Sequence, residues 1–302
     1  MLCQFSSLQE KNEDVKSSLK FDDILIKIGE FGRYQRRIYF LICLLGIPVA
    51  SINLSQVFLA QPTDHWCAVK EWKTDVDECM ELRSDKDEYY KCMYKFRNAS
   101  IPIEMEDEVY SYSQCRKYDA NYTSWDSDYF AGDTTNDTIE CDEGWNYDTY
   151  EYKRTIITDF DLVCDQKTFV ELAQSIYFVG VLVGSFFFGS LSDLVGRRLA
   201  VTFAAIFSAI FQAATALSPT FWAYTMFRFF VGSCNIGCFL LAFVMGTELV
   251  GPSKRVFTGI IIQCFYAVGC VLLTFFGYFI RDWRLLQVSL MSQVVLFWII
   301  LP

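Results

Sequence analysis

Long stretches without a single charged residue recur along this chain of 302 residues. Five of them run for 19 to 28 residues each, at residues 38–60, 173–191, 199–226, 229–247 and 256–280. A helix needs about 20 apolar residues to cross the hydrocarbon core of a bilayer. The pattern therefore predicts an all-α membrane protein and disfavours the alternative of a soluble protein with buried helices.

The polar segments between these runs set the predicted organisation. Six spans are expected, at residues 38–60, 169–191, 199–218, 221–250, 256–280 and 285–302. Residues 1–37 then form an N-terminal arm, and residues 61–168 form a long loop. The arm has no short apolar region followed by a cleavage site, so the first span is expected to act as an uncleaved anchor. Arg33, Arg36 and Arg37 directly precede that span, which predicts a cytosolic N-terminus.

The short connections between the later spans follow the same charge rule with one exception. Arg197 and Arg198 lie between spans two and three, and Arg255 lies between spans four and five. Both connections fall on the cytosolic side, where basic residues are enriched. The turn at residues 281–284, Arg-Asp-Trp-Arg, is net positive on the opposite side and departs from the rule.

The negative charge of the chain is concentrated in the long loop. Residues 61–168 carry 26 Asp and Glu against 12 Lys and Arg, a net charge of −14, whereas the remainder carries +4. The chain has no basic stripe, so no nucleic-acid partner is expected.

Six of the twelve cysteines also lie in the loop: Cys67, Cys79, Cys92, Cys115, Cys141 and Cys164. An even number of cysteines in a polar loop predicts three disulfides in an oxidising compartment, with 15 possible pairings. Zinc binding is the alternative. It has little support because the loop contains no Cys-x-x-Cys pair and His65 is the only histidine. We therefore expect no metal and no cofactor.

Three acceptor sequences for N-glycosylation lie in the same loop. They begin at Asn98, Asn121 and Asn136. This modification takes place on surface loops of secreted or extracellular segments. The sequence therefore predicts a glycosylated, disulfide-rich loop outside the cell.

The segment 189–198, Gly-Ser-Leu-Ser-Asp-Leu-Val-Gly-Arg-Arg, carries the most constrained pattern in the chain. Gly189 and Gly196 are expected to allow close helix approach and a tight turn. Asp193 is expected to be held by an arginine or a helix N-terminus, and Arg197 and Arg198 to anchor the turn at the inner leaflet. A simple basic turn would explain the arginines but not the rest of the pattern.

Two further charged residues lie in or next to apolar runs. An arginine within a span costs at least about 2.5 kcal/mol, so Arg228 is a candidate functional residue. The alternative is an arginine that snorkels to the membrane surface near a helix end. Glu248 is expected to pair with Arg197, Arg198 or Arg255 and to act in conformational gating.

Several of these segments resemble known transporters. Residues 189–198 resemble the signature of the major facilitator superfamily, except that Leu194 stands where Arg or Lys is usual. The sequence Arg228-x-x-x-Gly232 resembles the fourth-helix motif of that superfamily. Residues 29–35 (Gly-Glu-Phe-Gly-Arg-Tyr-Gln), 64–67 (Asp-His-Trp-Cys) and 158–165 resemble the organic ion transporter family of solute carriers, and residues 243–251, 265–269 and 279–284 resemble its organic cation/carnitine branch.

This resemblance implies a fold and a function. The expected fold is the N-terminal six-helix bundle of the superfamily, with the disulfide-rich loop between helices one and two, a truncated sixth span and the second bundle missing. The expected function is transport of organic cations or zwitterions such as carnitine across the plasma membrane by alternating access. Sodium or a proton is the expected coupling ion. The resemblance places Phe239 and Gln263 in the substrate pocket. Because polar side chains within a span usually turn inward, Asn53, Gln56 and Tyr177 are added to the candidate pocket.

Other functions are less well supported by the residues. A naturally short, non-transporting regulatory or binding partner of a full-length transporter is the main alternative. A four-span receptor with a cysteine loop conflicts with the turn at residues 189–198 and with six spans. An enzyme is not expected, because His65 is the only histidine and no nucleophile motif accompanies it.

Overall fold

Two regions make up the part of the chain that the computed structural model describes, namely residues 31–106, 109–123, 130–133 and 135–300. Most of the predicted N-terminal arm, including the first two residues of the motif at 29–35, lies outside the described residues. So do the last two residues of the predicted sixth span. We call residues 61–167 the loop domain, and the long helices before and after it the helical bundle.

The first helical segment of the bundle is broken twice. It consists of α1 (Arg33–Leu44), α2 (Gly46–Leu54) and α3 (Gln56–Leu59). Pro48 lacks the N–H that would bond to the preceding turn. At the second break the Ser55 hydroxyl donates to the carbonyl oxygen of Ile52 at 2.7 Å, in competition with the backbone. The break leaves Ser55 and Gln56 buried in the bundle.

Short elements form the loop domain. In chain order they are β1 (His65–Cys67), α4 (Lys73–Glu81), α5 (Lys86–Ser100), β2 (Ile103–Glu106), β3 (Val109–Tyr112), β4 (Arg116–Tyr118), β5 (Thr138–Glu140), β6 (Trp145–Tyr147) and α6 (Ile156–Phe160), with 3-10 turns at Lys70–Trp72, Ala131–Asp133 and Cys164–Gln166. Within the described residues the strands form two-stranded antiparallel sheets that pair β1 with β6, β2 with β3 and β4 with β5. The sheets are too short to be stable alone, so the domain depends on its other contacts.

Disulfides and aromatic side chains hold the loop domain together. All six cysteines predicted to pair do so, as Cys67–Cys141, Cys79–Cys92 and Cys115–Cys164. Trp66, Trp72 and Tyr89 are buried in its core. The third disulfide ties the segment after β3 to the turn that leads into the bundle.

The bundle continues with α7 (Thr168–Val195), α8 (Arg197–Ala216), α9 (Phe221–Glu248), α10 (Arg255–Phe279) after a 3-10 turn at Pro252–Lys254, and α11 (Trp283–Ile300). Five segments of the described chain are long and apolar enough to cross a membrane: α1–α3, α7, α8, α9 and α10. The predicted loop at residues 192–198 is much shorter than expected. Since α7 runs to Val195 and α8 starts at Arg197, only Gly196 lies between them, and its φ of 91° gives the reason for glycine there.

Helices α7 and α9 approach each other closely through glycines. A Cβ atom added to Gly180 would meet the backbone of Phe229, and one added to Gly184 would meet Ser233. Small residues allow such close contact between helices in a membrane. Gly189 was expected to serve close packing too, but a Cβ added there meets no atom within 4 Å among the described residues.

The loop domain rests on one end of the bundle. Asp159 of α6 accepts a hydrogen bond from Trp283 Nε1 at 3.0 Å and pairs with Arg284 at 3.4 Å. Arg281 Nη1 donates to the carbonyl oxygen of Glu151 at 3.1 Å. These contacts explain the positive turn at residues 281–284, because its arginines bind the acidic loop domain. We call this the loop-domain end of the bundle and the opposite one the far end.

Candidate functional site

A cavity of about 220 Å³ lies among α2, α7, α9 and α10. Its lining residues come from all four helices: Val49, Asn53, Val181, Asn235, Ile236, Phe239, Gln263 and Tyr266. Three of the five predicted pocket residues, Asn53, Phe239 and Gln263, are among them. The helices therefore bring together residues more than 200 positions apart in the sequence.

Hydrogen bonds organise one side of this cavity. The hydroxyl of Tyr177 donates to Asn53 Oδ1 at 2.5 Å and accepts from Asn235 Nδ2 at 3.1 Å. Asn53 Nδ2 also donates to the hydroxyl of Tyr266 at 3.1 Å. These groups are neutral. The predicted residue Tyr177 thus lies directly behind the cavity and orients two of its amides.

An aromatic pair forms another part of the wall. The rings of Phe239 and Tyr266 meet edge to face with centroids 5.8 Å apart. Aromatic faces attract ammonium groups, and amides supply donors and acceptors for a polar ligand. The cavity therefore suits a small ligand that carries both an alkylammonium group and polar atoms.

Gln56 is the predicted pocket residue that the structure places away from the cavity. Its Oε1 accepts a hydrogen bond from the hydroxyl of Tyr224 at 2.8 Å. Gln56 follows Asn53 by three residues, about one helical turn. It therefore lies beside Tyr224, in the next layer of the bundle.

Arg228 lies in that same layer and is fully buried, with 0 % of its surface exposed. Its Nη1 donates to Ser55 Oγ at 3.1 Å, and its guanidinium carbon lies 4.6 Å from the centroid of the Tyr177 ring. The alternative of an arginine that snorkels to the membrane surface is therefore wrong. One tyrosine ring separates this buried cation from the cavity.

Two polar residues of the cavity wall, Asn235 and Tyr266, were not predicted. Asn235 is 2 % exposed and bonds both Tyr177 and the carbonyl oxygen of Val49. It is the only asparagine in the uncharged run 229–247, and that was a usable signal. Tyr266 gave no comparable signal, since tyrosines are common along the chain.

The turn between α7 and α8, at the far end of the bundle, forms a charge cluster. Arg197 lies 2.9 Å from Asp193 and 3.3 Å from Glu248, and it also bonds Ser192. The cluster links α7 and α8 to the end of α9. Of the three arginines considered as partners for Glu248, Arg197 forms an ion pair with it at 3.3 Å. Arg198 is exposed on α8, and Arg255 begins α10.

The zinc alternative can be tested in the loop domain. His65, Cys115 and Cys164 bring their ligand atoms within 4.8 Å of one another. The two sulfur atoms, however, are bonded to each other. They cannot supply the thiolates that zinc requires while the disulfide is intact. Burial lowers the pKa of His65, which keeps its ring neutral near pH 7.

Comparisons with known proteins agree with the architecture. The family model described as "Sugar (and other) transporter" matches residues 99–301. The chain is 35% identical to the "Organic cation transporter-like protein" of Drosophila melanogaster, over 93% of this chain and 46% of that protein. It is 34% identical to the "Organic cation/carnitine transporter 2" of Mus musculus, over 91% and 48%, and 33% identical to the "Carcinine transporter" of Drosophila melanogaster, over 91% and 40%. The chain spans about half the length of these curated relatives.

Proposed function

Because this chain belongs to the Sugar (and other) transporter family, which comprises solute transporters and not enzymes, we propose that it serves the transport of organic cations or zwitterions such as carnitine. The printed names of its relatives support this substrate class. The observation that carries the proposal is the cavity among α2, α7, α9 and α10, with its neutral amides and its pair of aromatic rings.

The proposed mechanism is alternating access. In transporters with broken helices and a site near the bilayer midplane, the bundles rock about the bound substrate. The ion pairs of Arg197 with Asp193 and Glu248 tie three helices together at the far end. We assign this cluster a gating role, because such pairs can form in one state of the protein and separate in another.

The proposed topology follows from the charge pattern. The N-terminus and the far end of the bundle face the cytosol, α11 forms the sixth span, and the loop domain faces the outside of the plasma membrane. Asn98, Asn121 and Asn136 are all exposed on the loop domain, which supports their proposed glycosylation. Sodium or a proton is the proposed coupling ion.

Transport in this family of folds uses two bundles around one central site. We propose that a second bundle completes the site described here. The alternative of a non-transporting regulatory partner is not favoured, because the relatives are named as transporters.

Uptake measurements test the proposed function. Cells that express the complete reading frame containing this chain should accumulate labelled tetraethylammonium or carnitine above the level of untransfected cells. Asp193→Asn should lower that uptake while surface biotinylation stays at the wild-type level, because the variant loses one ion pair of the gating cluster. Wild-type uptake by Asp193→Asn would refute the gating role. No uptake of either compound by the surface-expressed protein would refute the proposed function.

A further inference from the structure

The guanidinium atoms Nε and Nη2 have very different surroundings in Arg154 and in Arg228. Arg154 donates from Nε to Asp159 Oδ1 at 3.0 Å and from Nη2 to Asp159 Oδ2 at 2.9 Å. This is the bidentate geometry in which a guanidinium binds a carboxylate. In Arg228 the same two atoms, Nε and Nη2, are buried and have no hydrogen-bond partner among the described residues.

The surroundings of Arg228 offer further donors but no carboxylate. Gln56 Nε2, in the same layer, also has no partner within the described part of the chain. The acidic residues in the described bundle helices lie near helix ends, at Glu171, Asp193 and Glu248. An arginine whose donors have no acceptors costs much free energy in the interior of a membrane bundle. A ligand carboxylate would satisfy both donors at once.

We propose that Arg228 binds the carboxylate of the substrate, and that the substrate is accordingly a zwitterion with separate ammonium and carboxylate groups. This inference rests on the proposed function and narrows its substrate class. The ammonium group would lie in the cavity against Phe239 and Tyr266, and the carboxylate would reach the guanidinium.

The path between the two subsites runs past Tyr177. Its ring covers the guanidinium of Arg228, and its hydroxyl is bonded to the cavity residues Asn53 and Asn235. In the proposed complex, a rotation of this one side chain would connect the cavity to Arg228. The hydrogen bonds of Tyr177 then pass to the ligand, so the tyrosine acts as a positioning residue between the two subsites.

The test uses the product of the complete reading frame that contains this chain, purified into lipid nanodiscs, and two ligands that share a trimethylammonium group. Betaine carries a carboxylate, and choline carries a hydroxyl in its place. Affinity is measured by calorimetry for the wild type, Arg228→Gln, Arg228→Lys and the control Lys91→Gln, which removes an exposed charge from the loop domain. Acetate serves as a free carboxylate, and betaine methyl ester as a cation of nearly the same shape.

The wild type and Lys91→Gln should bind betaine about 10-fold more tightly than choline, as one charge-assisted pair implies. The preference should vanish in Arg228→Gln and shrink in Arg228→Lys, which keeps the charge but not the planar pair of donors. If Arg228→Gln does not fold, the affinities of the wild type for betaine and for betaine methyl ester test the same inference. The ester is expected to bind as weakly as choline.

Three results would overturn the inference. Equal affinity for betaine and choline would refute it and leave the proposed function intact, as would a betaine preference that survives in Arg228→Gln. Acetate that binds as tightly as betaine would show that the carboxylate is a separate anion and not part of the substrate. If none of the ammonium ligands binds, the inference about Arg228 fails, and uptake of tetraethylammonium and carnitine decides whether the proposed function fails with it.

Discussion

The loop domain and the helical bundle are stabilised in different ways. The loop domain holds short strands and helices together with three disulfides, a core rich in aromatic residues and the ion pairs of a buried lysine, Lys117. The bundle packs long helices through glycines and buried hydrogen bonds, and its cysteines Cys43, Cys234 and Cys238 are free and buried.

The difference follows from the surroundings of each region. A small domain in water buries too little apolar surface for high stability, and covalent links compensate for this. Between helices in a lipid bilayer the hydrophobic effect offers no driving force, so close packing and hydrogen bonds decide which helices associate. Substitutions should therefore act on one region and leave the other intact.

The largest effect is expected from the disulfide with the widest sequence separation. Cys67 and Cys141 are 74 positions apart and join the end of β1 to the connection between β5 and β6. Replacing both by Ser should destabilise the loop domain by about 4 kcal/mol, because the unfolded chain gains conformational freedom. Limited proteolysis should show cleavage within residues 61–167 while the bundle stays protected. Cleavage of the loop domain and the helical bundle at the same rate would contradict the view that the two regions are stabilised separately.

A smaller effect is expected from a glycine of the bundle. Gly184→Leu should destabilise the bundle by about 3 kcal/mol, because the new side chain overlaps Ser233 of α9. Gly189→Leu is the matched control on the same helix, since an added Cβ there meets no described atom. Thermal melting in detergent measures both. Similar melting temperatures for the two variants would show that the glycine contact is not what sets the packing of α7 on α9.

The smallest effect concerns an ion pair and its pH dependence. Lys117 is only 4 % exposed and lies 2.8 Å from both Asp142 and Glu143. Burial alone lowers the pKa of Lys117, but its hydrogen bonds to the two carboxylates outweigh burial and raise it. The same hydrogen bonds lower the pKa of Asp142 and Glu143. Lys117→Met should cost about 2 kcal/mol near pH 7.

The sign of these shifts defines the pH window. The carboxylates stabilise the folded domain above their usual pKa of about 4, and this contribution is lost as pH falls through their lowered values. The contribution of Lys117 is present below about pH 10 and is lost as pH rises through its raised value. The difference in melting temperature between wild type and Lys117→Met should therefore be constant from about pH 5 to 10 and shrink outside it. A constant difference down to pH 3 would refute this.

The sequence predicted the helices of this protein better than it predicted the contacts between them. Apolar runs identify a span regardless of its neighbours, and paired cysteines indicate a disulfide-bonded region. The complete set of three disulfides was one of 15 open arrangements, because a pair such as Cys67–Cys141 depends on how β1 and β6 meet in space.

The candidate site shows the same limit. Asn53, Phe239 and Gln263 were predicted as pocket residues and line one cavity. Gln56 was assigned to the same cavity because polar side chains within a span usually turn inward. It does turn inward, but it bonds Tyr224 and not the cavity residues. The burial of Arg228 could not be predicted from the sequence either, because buried and snorkelling arginines occur in the same kind of apolar sequence.

The central claim is that the loop domain lies outside the cell and caps the membrane bundle. Enzymatic removal of N-linked glycans tests it most directly. The three predicted glycosylation sites, Asn98, Asn121 and Asn136, are all exposed, and all lie in the loop domain. Treatment of the protein from cell membranes should lower its apparent mass, and the triple substitution of these residues by Gln should abolish the shift. Two results together would contradict the claim. The treated wild type would keep its apparent mass, and the untreated triple variant would have the same mass as the untreated wild type.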